Sequence, residues 1–284
     1  MAASEALSLV ALTLADVAGG LALSGAAGWN QTADDWAFFI QQGHATGFRT
    51  ASGALIATAA ALAYSGGLGW ISMVLVANDW RHRGFASSLM EGSVKRLQSL
   101  HIAPVLDATP AGEPVYRQLG FRAGFHFERW EGTRPPDTVA PPEVSDVRAA
   151  DASDLDAIAA LDQAANGIGR RPLLRNLLAR PRTQVWMARD GSGFVVAREG
   201  ARATQIGPLV ASDPGAAITL LAGALRERAG PIFLDVPSRW RELVTRLERL
   251  SFVRQRPFVR MSLGSARPLA CGDRLFVLAG PEFG

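Results

Sequence analysis

Residues 71–86 have the sequence ISMVLVANDWRHRGFA, an apolar run followed by a polar loop and the start of a helical pattern. The run predicts a buried strand, and the pattern after Gly84 predicts a helix. The first N–H groups of a helix lack intrahelical partners and, with the helix dipole, favour an anion. Gly84 lets a ligand approach the backbone, and Arg81 and Arg83 add positive charge. The stretch predicts a phosphate-binding turn, with an ordinary surface turn as the alternative.

The composition indicates a globular, intracellular protein. Hydrophobic residues make up 48% of the 284 residues and charged residues 19%, which is typical of a chain with a real core. The length allows one large domain or two. The single cysteine, Cys271, excludes an intramolecular disulfide. It favours a reducing, cytoplasmic setting, and no signal-peptide pattern begins the chain.

Two classes of partner are not expected. The stretch from residue 50 to residue 78 carries no charge and is long enough to span a membrane. The turn cluster at 65–69 divides it into two strand-length pieces, so we expect a buried hairpin and no membrane segment. We also expect no nucleic-acid partner, because the net charge is only +3 and the arginines alternate with acidic residues.

The chain has two similar halves around a proline-rich linker. Residues 75–79 match 209–213 at an offset of 134, and Gly120-Phe121 matches Ser251-Phe252 at an offset of 131. Leu106-Asp107 matches Leu234-Asp235 at an offset of 128. Such nearly constant offsets indicate a divergent duplication. We therefore predict a first domain over 1–132, a linker over 133–143 and a second domain over 144–284.

Both halves show the same order of elements, which predicts a mixed α/β fold, that is, an α+β mixed sheet. In the first half the expected helices cover 12–24, 34–43, 85–100 and 113–119, and the strands 46–50, 54–64, 71–77 and 104–108, with a closing hairpin through 121–130. In the second half the helices cover 151–163, 171–180, 216–229 and 240–250, and the strands 185–188, 193–198, 204–210, 232–235 and 259–263.

The loop Arg81-x-x-Gly84-x-Ala86, followed by Val-Tyr-Arg-Gln-Leu-Gly-Phe at 115–121, resembles the GNAT superfamily of N-acetyltransferases. The resemblance implies two tandem GNAT-like acyl-CoA N-acyltransferase folds and acetyl-CoA as cosubstrate, without a metal. The loop would wrap the pyrophosphate, and the preceding strand would bind the pantetheine arm. The implied cofactor-binding residues are Leu75, Val76, Ala77, Arg81, His82, Arg83, Gly84, Phe85, Ala86, Thr109 and Tyr116. Ala86 replaces a glycine, a variation that the family tolerates.

The resemblance also implies direct attack of an amine on the thioester. Tyr116, four residues before Gly120, would protonate the departing thiolate, with packing on the sheet as its alternative role. The base, which acts directly or through water, is left open among Asp107, Glu128 and His126. The acceptor is expected to be a small-molecule or amino-acid-like amine. Its predicted contacts, with core packing as the alternative for each tryptophan, are Trp29, Asn30, Gln31 and Trp36.

The second half lacks both features of the first. Pro-Gly-Ala-Ala at 214–217 carries no basic side chain, and Leu247 stands where the first half has Tyr116. We expect this half not to bind acetyl-CoA productively, and to complete the acceptor pocket or an interface through Gln205, Asp235 and Arg254. A homodimer is left open. The alternative functions are a non-catalytic acyl-CoA-binding or regulatory module and transfer of a longer acyl group.

Overall fold

The computed structural model describes residues 6–133, 146–226, 228, 230–264 and 269–284, and the chain divides into two units, Met1–Val105 and Leu106–Gly284. In the first unit, β1 pairs with β2, β2 with β3 and β3 with β4, all antiparallel, and β4 pairs in parallel with β5. Its elements are β1 (Leu7–Ala11), α1 (Val17–Ala26), α2 (Ala33–Gln42), β2 (His44–Thr50), β3 (Leu55–Ala63), β4 (Leu68–Val76), α3 (Phe85–Ser99) and β5 (Ala103–Ala108), whose last three residues belong to the second unit.

The uncharged stretch forms the buried hairpin that the sequence predicts. Strand β3 is buried from Ile56 to Leu62, and it pairs with β4 across a turn in which Gly66 and Gly67 have positive φ. Small alanines allow close packing, and Ala57 and Ala59 form one buried cluster with Leu89 of α3. No helix in the described part of the chain is long and apolar enough to cross a membrane.

The second unit contains a sheet with the order β12-β6-β11-β10-β9-β8-β7, and β13 pairs with β10. The sheet is mixed, since β10 and β11 are parallel and the neighbouring pairs are antiparallel. Its elements are α4 (Glu113–Gln118), β6 (Arg122–Thr133), β7 (Val147–Ala149), α5 (Leu155–Asn166), α6 (Arg171–Leu178), β8 (Gln184–Ala188), β9 (Phe194–Arg198), β10 (Thr204–Val210), α7 (Pro214–Arg226), β11 (Pro231–Pro237), α8 (Arg241–Arg249), β12 (Val253–Ser262) and β13 (Leu275–Val277).

Strand β6 comes from the first half of the sequence but lies between two strands of the second half. The closing hairpin expected over 121–130 is wrong, because β6 is one continuous strand that pairs with β11 on one edge and β12 on the other. Phe127 and Phe258 are register partners, and their rings stack 5.0 Å apart at an interplanar angle of 6°. They are also repeat equivalents at the offset of 131. The strands β6 and β12 are therefore repeat equivalents that pair about a local twofold axis.

Pairing of β6 with the second half places the boundary between the compact units at 105/106, earlier than the boundary between the halves of the sequence. Most of the proline-rich linker predicted over 133–143 lies outside the described residues. The division into 1–132, 133–143 and 144–284 stays a prediction about the duplicated halves.

Candidate active site

The loop after β4 folds through a short 3₁₀ turn at Asn78–Trp80. The Arg81 Nε donates to the Val76 carbonyl oxygen at 3.3 Å, and the Arg83 Nη2 donates to the Asp79 carbonyl oxygen at 2.9 Å. The Arg83 guanidinium also lies 4.8 Å from the centre of the Trp80 ring. These contacts hold two positive charges on an exposed loop directly before α3.

Gly84 opens the N-terminus of α3 to a ligand. It is the N-cap residue of the helix, no side chain caps it, and its φ of +83° lies in the left-handed region that favours glycine. A Cβ built there would meet no atom within 4 Å, so the space beside the backbone is open. Because the first N–H groups of α3 have no intrahelical partners, this end can bind an anion.

Strand β4 contains a bulge that the sequence does not predict. Its register with β3 advances three residues, from Ser72 to Leu75, while β3 advances two. Met73 lies in the bulge with φ of +54°, and the Thr58 hydroxyl donates to the Met73 carbonyl oxygen at 2.8 Å. A methionine within an apolar run gives no sequence signal for such a position. The register of β4 with β5 ends at Trp70, whereas its register with β3 continues to Val76.

Tyr116 lies on α4 in the second unit, half-buried beside Phe121, with ring centres 6.1 Å apart. A Cβ on Gly112 would come within 2.9 Å of the Tyr116 ring, so this glycine leaves room for the phenol. Burial raises the pKa of Tyr116 above its ordinary value, which keeps the hydroxyl protonated at neutral pH. Thr109 lies in the turn before α4, where its carbonyl oxygen accepts from the N–H groups of Gly112 and Glu113.

Asp107 uses both carboxylate oxygens in an ion pair with Arg260 of β12. The two distances are 2.8 Å, and the side chains are 0% and 6% exposed. A carboxylate engaged on both oxygens is a poor proton acceptor, so the base role predicted for Asp107 does not fit its contacts. Sequence reasoning missed Arg260, which is 153 residues away along the chain.

A second pair repeats this arrangement with the halves exchanged. The Arg129 guanidinium bonds both oxygens of Asp235 at 2.9 and 2.7 Å, and the Gln205 Nε2 donates to the same carboxylate at 2.9 Å. Burial and Asp235 act on the pKa of Arg129 in opposite directions, and the net effect is a raised pKa. Arg260 is the repeat equivalent of Arg129, and Asp235 that of Asp107. Each aspartate is therefore neutralised by the arginine of the other half.

Two other candidates for the base lie on β6. Glu128 is 19% exposed, with the Arg254 Nη1 3.4 Å from its Oε1, and His126 is exposed. Both alternate with the buried Phe127 along the strand. Their roles stay predictions.

Two family models match the chain, each described as an acetyltransferase (GNAT) domain, over residues 22–128 and 158–276. The chain belongs to the GNAT acetyltransferase family. The tandem fold predicted from the loop and from the repeat is thus confirmed, and the protein is an acyltransferase. GNAT acetyltransferases generally use acetyl-CoA.

Known proteins resemble this GNAT chain over most of its length. A Bacillus subtilis (strain 168) protein described as the uncharacterized N-acetyltransferase YitH is 26% identical over 251 residues, which is 86% of this chain and 87% of that protein. A crystal structure of a putative acetyltransferase from Pyrococcus horikoshii has a TM-score of 0.83 at 18% identity, covering 98% of this chain and 96% of that one. A tandem GNAT protein from the clavulanic acid biosynthesis pathway has a TM-score of 0.63 at 12% identity, covering 92% and 100%. The two structural likenesses show the shared fold.

The residues predicted to contact the acceptor lie in the first unit of this GNAT protein, and most are buried. Trp36 is 0% exposed, its Nε1 donates to the Ser24 hydroxyl at 3.1 Å, and its ring leaves no room for a Cβ on Gly20. An acceptor role does not fit this packing. Asn30 is also buried. Gln31 is 5% exposed, and its Oε1 has no hydrogen-bond partner among the described residues.

In the second GNAT half, a carboxylate caps the helix that follows β10, as α3 follows β4 in the first half. The Asp213 Oδ1 accepts from the Ala216 N–H at 3.0 Å at the start of α7, and this bond is the largest cause of a lowered Asp213 pKa. An anion would meet both an occupied donor and a like charge there. This supports the expectation that the second half does not bind acetyl-CoA.

The described ranges contain neither a candidate metal site nor a reactive cysteine. No group of three or more His, Cys, Asp or Glu side chains within them could hold a metal ion. Cys271 is buried, and burial raises the pKa of its thiol to about 11, which disfavours the nucleophilic thiolate.

Proposed function

We propose that this GNAT enzyme transfers the acetyl group of acetyl-CoA to the primary amine of a small-molecule or amino-acid-like acceptor. The observation that carries the proposal is the uncapped N-terminus of α3, opened by Gly84 and flanked by Arg81 and Arg83. Backbone N–H groups, a helix dipole and two guanidinium groups suit a pyrophosphate. In the second half the Asp213 carboxylate caps the N-terminus of α7, whereas no side chain caps α3, so the two helix ends differ in the property that an anion requires.

The reaction needs no covalent enzyme intermediate. The amine nitrogen attacks the thioester carbon, the carbon–sulfur bond breaks, and the departing sulfur receives the proton of the Tyr116 hydroxyl. The attacking nitrogen loses a proton to Glu128, to His126 or to water. Backbone N–H groups near the bulge at Met73 would stabilise the oxyanion. The raised pKa of Tyr116 supports its role, because the phenol holds its proton until transfer.

For the acceptor, the unpaired Gln31 Oε1 supports contact with a polar group that can donate a hydrogen bond. Trp29 is partly exposed and offers an apolar surface next to it in sequence. A ligand with an amine and an adjoining apolar portion would satisfy both side chains. These are the properties of amino-acid-like acceptors.

A thiol-release screen of amines with acetyl-CoA tests the proposal, with longer acyl-CoA donors as comparison. Tyr116→Phe should lower kcat by about 100-fold, within the usual range for general acid–base catalysis, and leave acetyl-CoA affinity nearly unchanged. Because the Tyr116 pKa lies above its ordinary value of 10.0, kcat of the natural enzyme should not fall on the alkaline side before pH 10.

Unchanged turnover in Tyr116→Phe would remove the tyrosine from the mechanism. Acetyl-CoA binding without thiol release, across the whole amine panel, would favour a non-catalytic acyl-CoA-binding module.

A further inference from the structure

Strand β13 lies in the gap where β10 and β11 of the second half separate. The parallel register of these two strands covers Thr204–Ile206, and beyond it Leu209 and Val210 of β10 pair with β13. On the other side, the Leu278 N–H donates to the Asp235 carbonyl oxygen of β11 at 2.9 Å. The segment that contains β13 therefore bonds to the backbones of both strands.

The residues of β10 that pair with β13 are the repeat equivalents of the residues predicted to bind pantetheine. At the offset of 134, Leu209 and Val210 correspond to Leu75 and Val76, and Ala211 corresponds to Ala77. The Ala211 N–H donates to the Arg274 carbonyl oxygen at 3.0 Å. Peptide groups of the chain itself thus take the backbone partners that the resemblance assigns to pantetheine in the first half.

Gly207 makes this approach sterically feasible. It is the equivalent of Met73 at the offset of 134, and both residues have positive φ. A Cβ on Gly207 would lie 1.9 Å from the Leu278 carbonyl oxygen. Strand β10 has a matching bulge, since its register with β9 advances three residues, from Ile206 to Leu209, while β9 advances two. The bulge of the first half carries a side chain, whereas the bulge of the second half leaves room for a peptide backbone.

Side chains hold the same segment. Residues 275–279 are all buried, the Trp240 ring stacks on Phe276 with centres 4.0 Å apart, and the Trp240 Nε1 donates to the Leu275 carbonyl oxygen at 2.6 Å. Further along, the Arg198 Nη2 lies 2.5 Å from the Glu282 Oε1 in a buried ion pair. The cleft therefore provides apolar pockets and backbone donors and acceptors for an extended segment, and a charge partner for the turn that follows it.

We infer that the cleft between β10 and β11 is a peptide-binding site and that residues 274–284 are its intramolecular ligand. Recognition is strand addition: main-chain hydrogen bonds provide affinity, and the pockets for Phe276 and Val277 provide specificity. In the second half, the cleft equivalent to the predicted acyl-CoA site therefore binds a segment of the protein's own chain. Acyl-CoA is excluded because its place is taken and Asp213 caps α7.

The test begins with the full chain in which a protease recognition sequence replaces residues 265–268. After cleavage, residues 269–284 should remain bound in gel filtration and native mass spectrometry. Moderate urea should release them, and a labelled synthetic peptide of the same residues should rebind on removal of urea, measured by fluorescence anisotropy. A matched peptide that is N-methylated at Leu278 lacks the N–H that donates to Asp235 and carries a methyl group in its place. It should bind about tenfold more weakly, the cost of about one hydrogen bond.

Acetyl-CoA should not displace the peptide, and its binding stoichiometry should be equal before and after cleavage. Rapid loss of the cut segment without rebinding, equal affinity of the N-methyl peptide, or displacement by acetyl-CoA would each overturn the inference. Acetyl transfer by the uncut chain is measured separately, so failure of the proposed activity is distinguishable.

If the protein precipitates once residues 269–284 are removed, a variant of the intact chain tests the inference instead. Gly207→Ala should increase hydrogen exchange over residues 275–279, because the new Cβ collides with the Leu278 carbonyl oxygen. Gly191→Ala is the control, since Gly191 also has positive φ (+75°) but no atom within 4 Å of its Cβ position. Equal exchange in the two variants would contradict a cleft shaped for the segment.

Discussion

At the scale of single residues, Gly84 and Gly67 provide a matched pair. Both have left-handed φ, +83° and +80°, and a Cβ at either would meet no atom within 4 Å. Alanine at either site should therefore cost a similar ~1–2 kcal/mol of folding stability. Only Gly84→Ala should also weaken acetyl-CoA binding, because only that Cβ projects into the proposed pyrophosphate site. Calorimetric titration and chemical denaturation of both variants check this; an equal loss of affinity would place the pyrophosphate elsewhere.

Substitution of Arg260, which pairs with the buried Asp107, should lower the free energy of unfolding more than substitution of an exposed arginine. Arg260→Ala leaves a buried carboxylate without its counter-charge, which costs about 3–5 kcal/mol. Arg182→Ala removes an exposed pair with Glu199 and should cost at most about 1 kcal/mol. Urea unfolding curves compare the two. The double variant Asp107→Leu/Arg260→Met should recover most of the loss; a double variant as unstable as Arg260→Ala would mean that the guanidinium acts through other contacts.

At the scale of elements, the start of α7 shows how the second half differs. Asp213→Ala removes the N-cap and should lower the free energy of unfolding by about 1 kcal/mol, whereas Asp213→Asn keeps a capping oxygen and should change it little. Neither variant should gain a second acetyl-CoA site, because Pro214 and the residues after it supply no arginine. Titration calorimetry of both variants decides this, and a new binding event in Asp213→Asn would show that charge alone excludes acetyl-CoA.

Local sequence signals predicted the strand β4, the loop and α3, and similar signals placed most of the helices. Each of these elements depends on periodicity, glycine placement and nearby turn residues. Strand pairing was not predictable in the same way, since alternation shows which residues face the core but does not name the partner strand. The short strands β1, β7 and β13 therefore escaped prediction, as did the position of β6 between β11 and β12. The bidentate partner of Asp107 escaped for the same reason.

At the scale of the whole molecule, the position of β6 between β11 and β12 makes the folding of each half depend on the other. In a fragment of residues 1–132, β6 would lose its partners on both edges, β11 and β12, and expose the face of Phe127 that stacks on Phe258. Unpaired strand edges promote association, so we expect this fragment to self-associate or precipitate when expressed alone.

Coexpression with a second chain of residues 133–284 should restore a 1:1 complex, because the β6–β12 pairing forms between chains as well as within one. Size-exclusion chromatography with light scattering measures both cases, and acetyl-CoA affinity should return only in the complex. A monomeric 1–132 fragment with the affinity of the full chain would show that the first half is self-sufficient. The second half would then not be needed for acetyl-CoA binding by the first half, and its role would lie in its own peptide cleft.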